Sequence, residues 1–155
     1  MFKKRISIFE VEEGNFLSPK FDNKGLIPVV TTEHKSGNIL MHGYMNEEAF
    51  KKTIETKEAH YWSRSRKALW HKGKTSGFVQ KVVELRIDDD QDAIWMKVNI
   101  GKGASCHVGY ISCFYRSIPL GKTKNLKKIK IKFKEKKKKF DPNKIYKGQP
   151  NPTKL

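Results

Sequence analysis

The sequence predicts an α+β chain dominated by a small, partly open, barrel-like antiparallel sheet with one or two short helices. Two pairs of apolar strand segments and one amphipathic segment support this prediction, and strands do not alternate with helices in a regular βαβ rhythm. The chain has 155 residues, which favours a single domain. We divide it into an N-terminal extension (residues 1–24), a folded body (residues 25–120) and a lysine-rich tail (residues 121–155).

The first strand pair precedes residue 46. Residues 26–30 are a short apolar run in which Pro28 suits the start or edge of a strand. Residues 39–41 are again apolar, and the Lys-Ser-Gly-Asn sequence at 35–38 is a turn signal. These segments predict an antiparallel hairpin.

A helix is predicted over residues 45–57. Asn46 suits the N-cap position, and two glutamates follow it in the first turn, where they favour the positive end of the helix dipole. Phe50 and Ile54 are four residues apart, so we expect both to face the core.

The second strand pair lies beyond residue 80. Apolar and polar residues alternate over 83–87, beginning with Val83, and again over 94–100. This alternation is typical of half-buried strands. The aspartate-rich run at 88–92 connects them, because aspartate is depleted in strands.

The positive charge is concentrated in the tail. The chain has a net charge of +17, yet residues 121–155 hold 14 lysines and two acidic residues, whereas residues 1–120 hold 19 basic and 14 acidic ones. We therefore predict a largely disordered tail, in which the alternation at 129–134 suits one edge strand. Two roles are open for this tail, RNA binding and solubilisation of the protein. We favour solubilisation, because charge alone gives only nonspecific affinity for nucleic acid.

Composition also bears on location. The chain has no apolar run of membrane-spanning length and no apolar segment behind its basic N-terminus, so we expect a cytoplasmic protein without membrane contact. Its two cysteines do not make a disulfide framework. In a reducing compartment such a pair more often indicates a metal or catalytic site.

Four carboxylates occur within residues 88–92. If this segment stays extended, Asp88, Asp90 and Asp92 share one face and Asp89 opposes them. Three carboxylates on one face suit Mg²⁺. The alternative is a solvated acidic turn.

Cys106, His107 and Cys113 lie within eight residues and can ligate zinc. Two thiolates do not complete a tetrahedral site, so a further ligand must come from elsewhere. An open fourth position would make such a site catalytic. The alternative is a pair of buried structural cysteines.

Two neighbouring segments, 62–66 and 70–77, combine basic, hydroxyl, glycine and tryptophan residues. Guanidinium forks and hydroxyl donors suit a ligand with phosphate groups, and tryptophans would also suit RNA. The alternative is an ordinary basic surface loop with core tryptophans. The residues that we assign to substrate binding are Trp62, Ser63, Arg64, Ser65, Arg66, Lys72, Thr75 and Ser76.

In this order along the chain, the segments resemble the phosphoribosyl-AMP cyclohydrolases. The resemblance is carried by residues 62–66, 69–70, 72–73, 75–77, 80–83, 88–92, 106–107 and 112–116. It runs from about residue 25 to residue 116 and implies a cyclohydrolase domain at 25–120. It further implies an interlocked homodimer and, with phosphoribosyl-AMP as substrate, hydrolytic opening of the adenine N1–C6 bond in histidine biosynthesis.

The resemblance also implies metals. Cys106 and Cys113 correspond to ligands of one Zn²⁺ per subunit, whose third ligand comes from the partner subunit, while Asp88, Asp90 and Asp92 correspond to Mg²⁺ ligands. Asp89 stands where a zinc-binding cysteine is usual, and its carboxylate is able to replace that ligand.

His107 is our candidate catalytic proton shuttle, and the alternative is a zinc ligand or a donor to one. Tyr110 and Ile111 stand where the family commonly has arginines, and Lys74 stands where it has glutamate. Two other functions stay open, a basic RNA-binding protein and a structural zinc protein on the same fold. The enzyme interpretation predicts that truncation at Gly121 leaves activity intact.

Overall fold

The computed structural model describes residues 2–122 and 125–153. The elements in chain order are α1 (Ile8–Glu12), β1 (Ile27–Glu33), β2 (Ile39–Met45), α2 (Glu47–Thr56), β3 (His60–Ser63), β4 (Ala68–His71), β5 (Lys81–Ile87), β6 (Ile94–Asn99), β7 (Arg116–Ser117), a 3-10 helix (Leu126–Lys128), β8 (Lys132–Phe133) and α3 (Pro142–Ile145). None of the helices in the described ranges is long and apolar enough to cross a membrane.

The main sheet is mixed and not purely antiparallel. Its strand order is β2-β1-β6-β5, and β3-β4 and β7-β8 form two further open sheets. Both predicted hairpins, β1-β2 and β5-β6, are antiparallel, but they join through a parallel β1-β6 pair that sets Val29 beside Ile94. The long segment between β2 and β5 makes this parallel pairing possible. The α+β class is confirmed, and the interlocked dimer stays a prediction.

Helix α2 follows the predicted capping but turns a different face inward. The Asn46 side chain accepts a hydrogen bond from the Ala49 amide at 2.9 Å. Phe50 is buried as expected, whereas Ile54 is 45% exposed, so its predicted core position is wrong. Thr53 is buried instead, because its hydroxyl bonds the amide of His60 and ties the helix to β3.

The alternation in the second hairpin is confirmed for β6 and interrupted in β5. Ile94, Met96 and Val98 are buried in the main core. Val83 is 57% exposed, contrary to the inward position that simple alternation predicts. The register between β5 and β6 shifts between Val82 and Glu84, and this irregularity turns the intervening side chain outward.

The N-terminal extension docks on the aspartate-rich connection. Gln91 has a positive φ of 58° and is buried. Its side chain accepts from the Ser18 amide at 2.8 Å and donates to the Val11 carbonyl at 3.0 Å. This contact is not predictable from the local sequence, because a glutamine within an acidic run is typical of a solvated turn.

The described part of the tail contains short regular elements, and the largely disordered tail stays a prediction. Residues 125–153 contain the 3-10 helix, β8 and α3, and β8 pairs with β7 of the body. Phe140 packs on Phe78, with 5.0 Å between ring centroids. A few aromatic and acidic residues among the lysines make these contacts, and the composition of the tail hides them.

Candidate active site

The two cysteines meet at the ends of one loop. Cys106 is buried and Cys113 is exposed, and both are free thiols. The Cys106 amide donates to the Tyr110 carbonyl at 3.2 Å, which folds the loop back on itself, and the Cys113 amide donates to the Leu40 carbonyl of β2 at 2.7 Å. The structure thus brings the two predicted zinc ligands side by side.

A hydrogen bond between the two sulfurs shifts the pKa values of the two thiols in opposite directions. A bond from the Cys113 thiol lowers the pKa of Cys106 to about 6, with the ammonium of Lys72 acting in the same direction and burial opposing it. The same bond raises the pKa of Cys113. The pair therefore holds one thiolate near neutral pH, which is the form that binds metals.

Lys72 lies beside the thiols and not on the open surface. Its side chain is 3% exposed, and burial lowers its pKa while Cys113 and Cys106 oppose that effect. Its ammonium also lies 5.2 Å from the ring centroid of Trp70. We assigned Lys72 to substrate phosphate from the sequence; the structure adds a second set of partners, the sulfurs.

His107 is half-buried next to this pair. Its Nε2 atom is buried and has no hydrogen-bond partner among the described residues. Burial lowers the pKa of His107, nearby Lys72 lowers it further, and a side-chain hydrogen bond with Asn151 opposes both. The imidazole is therefore neutral at pH 7 and has a free nitrogen, and the tail reaches its edge.

A buried polar chain supports the cysteine loop from inside. The Tyr61 hydroxyl lies 2.7 Å from Thr31 Oγ1 and donates to Gln80 Oε1 at 2.8 Å, and Gln80 Nε2 donates to Ser105 Oγ at 2.9 Å. Ser105 directly precedes Cys106. The sequence predicted no role for Gln80. Its position directly before an apolar strand could have indicated a buried amide that binds other polar side chains.

The phosphate-loop candidates lie around the β3-β4 hairpin. Trp62 and Ser63 are half-buried at the end of β3, while Arg64, Ser65 and Arg66 are exposed in its turn. The Arg64 guanidinium lies 4.1 Å from the Tyr44 ring centroid, and Arg66 lies 5.4 Å from that of Trp70. Trp70 is thus flanked by both Arg66 and Lys72, which connects the exposed turn to the thiols.

The other two candidates occupy the turn after β4. Thr75 is exposed, and Ser76 is half-buried and accepts from the Phe78 amide at 3.3 Å. Gly73 in this turn has φ +91°, and a Cβ atom there would lie 2.3 Å from the backbone nitrogen of Val79. The turn therefore requires glycine at this position.

The aspartate run is a turn and not an extended segment. Asp88 accepts from the amides of Asp92 and Ala93, each at 2.9 Å. Ligand atoms of Asp88, Asp89 and Asp90 lie within 4.8 Å of one another. An extended segment would place Asp88, Asp90 and Asp92 on one face. The turn instead brings Asp89 together with Asp88 and Asp90, so the predicted arrangement is wrong.

Lys20 forms ion pairs with two carboxylates of this turn. Its Nζ atom lies 3.4 Å from Asp90 and 3.5 Å from Asp92. Within residues 2–122 and 125–153, the aspartates 88–90 are the one group of three metal-ligating side chains found close together. Among those described residues, the thiols belong to no such group. Asp89 therefore does not form a metal site with the two cysteines of its own chain among the described residues.

Comparison with known proteins agrees with the resemblance. The family model for phosphoribosyl-AMP cyclohydrolase matches residues 41–115. A protein of that name from Rhodopseudomonas palustris (strain TIE-1) is 51% identical over 137 residues, which cover 88% of this chain and 89% of the relative. One from strain BisA53 is 59% identical over 109 residues, 70% of this chain and 74% of the relative.

A relative from Brucella canis, also named phosphoribosyl-AMP cyclohydrolase, is 57% identical over 109 residues, 70% of this chain and 78% of the relative. The predicted family and the prediction of an enzyme, a hydrolase acting on a C–N bond, are confirmed. This chain belongs to the phosphoribosyl-AMP cyclohydrolase family.

Proposed function

We propose that this chain hydrolyses phosphoribosyl-AMP, opening the adenine ring between N1 and C6 to an imidazole carboxamide nucleotide of histidine biosynthesis. The observation that supports this most directly is the meeting of Cys106, Cys113, Lys72 and His107 at one loop. A thiolate and a thiol side by side, next to a neutral imidazole with a free nitrogen, suit metal-assisted addition of water.

The donor sets fit the two implied metals. Two sulfurs, one of them a thiolate near neutral pH, suit Zn²⁺, and the neighbouring carboxylates of Asp88 and Asp90 suit Mg²⁺, which leaves Asp89 for zinc. Zinc, when bound, would polarise water for attack on the ring. Since one chain supplies two sulfurs, we propose that a homodimer completes the site, with Asp89 of the second copy as the third ligand.

The protein groups would bind the substrate and move its protons. In the reaction, oxygen from one water adds to C6 and becomes the carboxamide oxygen, and the C6–N1 bond breaks. N1 keeps its ribosyl group and gains one proton of the water, and the exocyclic nitrogen of the imino form of the ring gains the other. His107 Nε2 would accept the proton that the water loses and return it to N1. A ligating role for His107 would occupy the position that the reaction needs.

The substrate carries two phosphates, and the β3-β4 turn suits one of them. Arg64 and Arg66 are exposed there beside aromatic rings that limit their freedom. Ser63, Thr75 and Ser76 would add hydroxyl donors around the same face. Lys72 would act between this face and the sulfurs, and the reaction would take place in the cytoplasm.

The deciding experiment is turnover of phosphoribosyl-AMP by the purified protein, with bound metals counted in the same sample. We expect turnover that a chelator abolishes and zinc restores. A folded protein that binds no zinc and turns over nothing would contradict the proposal. A third outcome is protein that unfolds when the metal is chelated and shows no turnover in any state. This outcome would favour a structural zinc site.

The RNA-binding alternative is tested on the same sample. It predicts RNA affinity that falls steeply with salt and disappears without the tail. We expect only weak binding of this kind, with no effect of RNA on turnover.

A further inference from the structure

The loop that carries both cysteines is tied down by a segment of the tail, residues 132–140, which we call the strap. The Lys134 amide donates to the Tyr115 carbonyl at 2.8 Å, and the Lys139 amide donates to the Gly109 carbonyl at 2.7 Å. The strap is therefore bonded to the backbone inside the loop and just beyond it.

Glu135 makes the most specific of these contacts. One of its carboxylate oxygens accepts from the Ile111 amide at 2.8 Å and the other from the Ser112 amide at 2.9 Å. These two amides directly precede Cys113. Hydrogen bonds to a charged acceptor are the stronger kind, and a two-pronged carboxylate fixes the direction of the backbone as well as its position.

Aromatic contacts hold the two ends of the strap. Phe133 packs near Tyr115 at 5.8 Å between ring centroids, and Phe140 packs on Phe78 at 5.0 Å. Gly109 has φ +103°, and a Cβ atom there would lie 2.5 Å from the Phe140 carbonyl oxygen. The loop and the strap approach too closely at this point for any larger residue.

We propose that the strap holds the cysteine loop in its metal-binding geometry and that Glu135 is the positioning residue that does so. The Ser105 amide donates to the Ile111 carbonyl at 2.9 Å, so fixing Ile111 also fixes the backbone beside Cys106. The link to activity rests on the proposed function, whereas the ordering of the loop does not. The strap opposes the expectation that truncation at Gly121 leaves activity intact.

Lysine charge does not make the two hydrogen bonds of Glu135, although the ammonium of Lys138 lies 5.8 Å from the Tyr110 ring centroid. Lys137 lies in the same segment and is exposed. Glu135 is one of two acidic residues in 121–155. Lys137→Gln therefore removes a charge from the strap and serves as the matched control for Glu135→Gln, which retains one carbonyl acceptor for the two amides.

The test uses metal-free, full-length protein. In Glu135→Gln we expect amide hydrogen exchange at Ile111 and Ser112 to accelerate by about tenfold or more, the value of one charged hydrogen bond. Exchange at Met96 and Val98, buried in the core, should stay near that of the wild type and thereby exclude global loosening. Alkylation of the buried Cys106 should accelerate as well, and Lys137→Gln should resemble the wild type in all three measurements.

Equal exchange and alkylation in Glu135→Gln and the wild type would overturn the proposal. If Glu135→Gln does not fold, Glu135→Asp keeps both oxygens at shorter reach and should show the same local effect to a smaller degree. Exchange that rises equally in the core and the loop would also overturn it, since that result means general destabilisation.

Turnover separates this proposal from the proposed function. With the zinc-loaded protein, Glu135→Gln should lower kcat at nearly unchanged KM, because Glu135 itself contacts the cysteine loop and none of the residues assigned to substrate binding. Wild-type protein without turnover but with Glu135-dependent exchange would refute the proposed function alone. Wild-type turnover with no effect of Glu135→Gln on exchange or kcat would refute the strap alone.

Discussion

Gln80 and Ser105 join the interior of the sheet to the cysteine loop through one buried hydrogen bond of 2.9 Å. The same glutamine accepts from Tyr61, so both halves of its amide are used. A buried amide satisfied on both sides positions its neighbours more strictly than apolar packing does.

Gln80→Leu should therefore destabilise the protein. The substitution leaves the hydroxyls of Tyr61 and Ser105 buried and short of a partner, at a cost of about 1–3 kcal/mol for each. We expect the urea midpoint to fall accordingly. Gln149→Leu changes an exposed glutamine and is the control. A Gln80→Leu protein as stable as that control would show that the chain of hydroxyls contributes little.

His107→Ala should lower kcat by about 10² to 10⁴-fold, the range of a general acid–base group. Zinc content should stay at the wild-type level if His107 moves protons and does not ligate the metal. Turnover and metal analysis on one preparation separate the two roles. Loss of zinc together with turnover would make His107 a ligand.

Asp89→Cys should tighten zinc binding. A thiolate is a softer donor than a carboxylate and gives the metal more charge. We expect the dissociation constant, measured by competition with a coloured chelator, to fall by about tenfold, or about 1.4 kcal/mol. Asp89→Asn is the matched comparison and should weaken binding. If neither variant changes zinc affinity, Asp89 does not contact the metal.

Stability should fall as the pH is lowered from 7.5 to 5, and His60 should contribute to that fall. Burial lowers the pKa of His60, with nearby His71 and Lys52 adding to the effect and Glu58 opposing it. The unfolded chain, with an ordinary pKa of about 6.5, takes up the proton first as the pH falls. Protonation therefore favours unfolding until the pH drops below the folded-state value.

The measurement is the urea midpoint of wild type and His60→Gln at several pH values. His60→Gln should be less stable at pH 7.5 but should lose less stability on acidification. His34→Gln removes a histidine outside the stacked His60–His71 pair and is the control. An unchanged slope in His60→Gln would contradict the assignment.

Much of the fold follows from local signals in the sequence. Asn46 caps α2 as predicted, and the two hairpins form where alternation and turn residues indicate. Val83 and Ile54 are the misplaced residues, because a strand irregularity and a threonine hydroxyl override simple periodicity. The parallel pairing of β1 with β6 is a long-range choice that no local pattern reveals.

The candidate site divides in the same way. The cysteines and His107 are close in sequence, so their meeting was foreseeable from spacing. Lys72 lies beside the sulfurs but directly follows β4, far from the cysteines in sequence. Glu135 lies in the tail, whose composition predicts disorder. Contacts of that kind depend on single residues in a polar background, and neither periodicity nor charge patterning detects them.

The parallel contact of Val29 with Ile94 has a consequence for the order of folding. Each hairpin closes over a short stretch of chain, but the pairing of β1 with β6 must bring together residues about 65 positions apart, with a correspondingly larger loss of chain entropy. We expect the hairpins to form early and their docking to limit the folding rate. Substitutions in β6 that weaken its edge toward β1 should therefore slow refolding more than those in either turn.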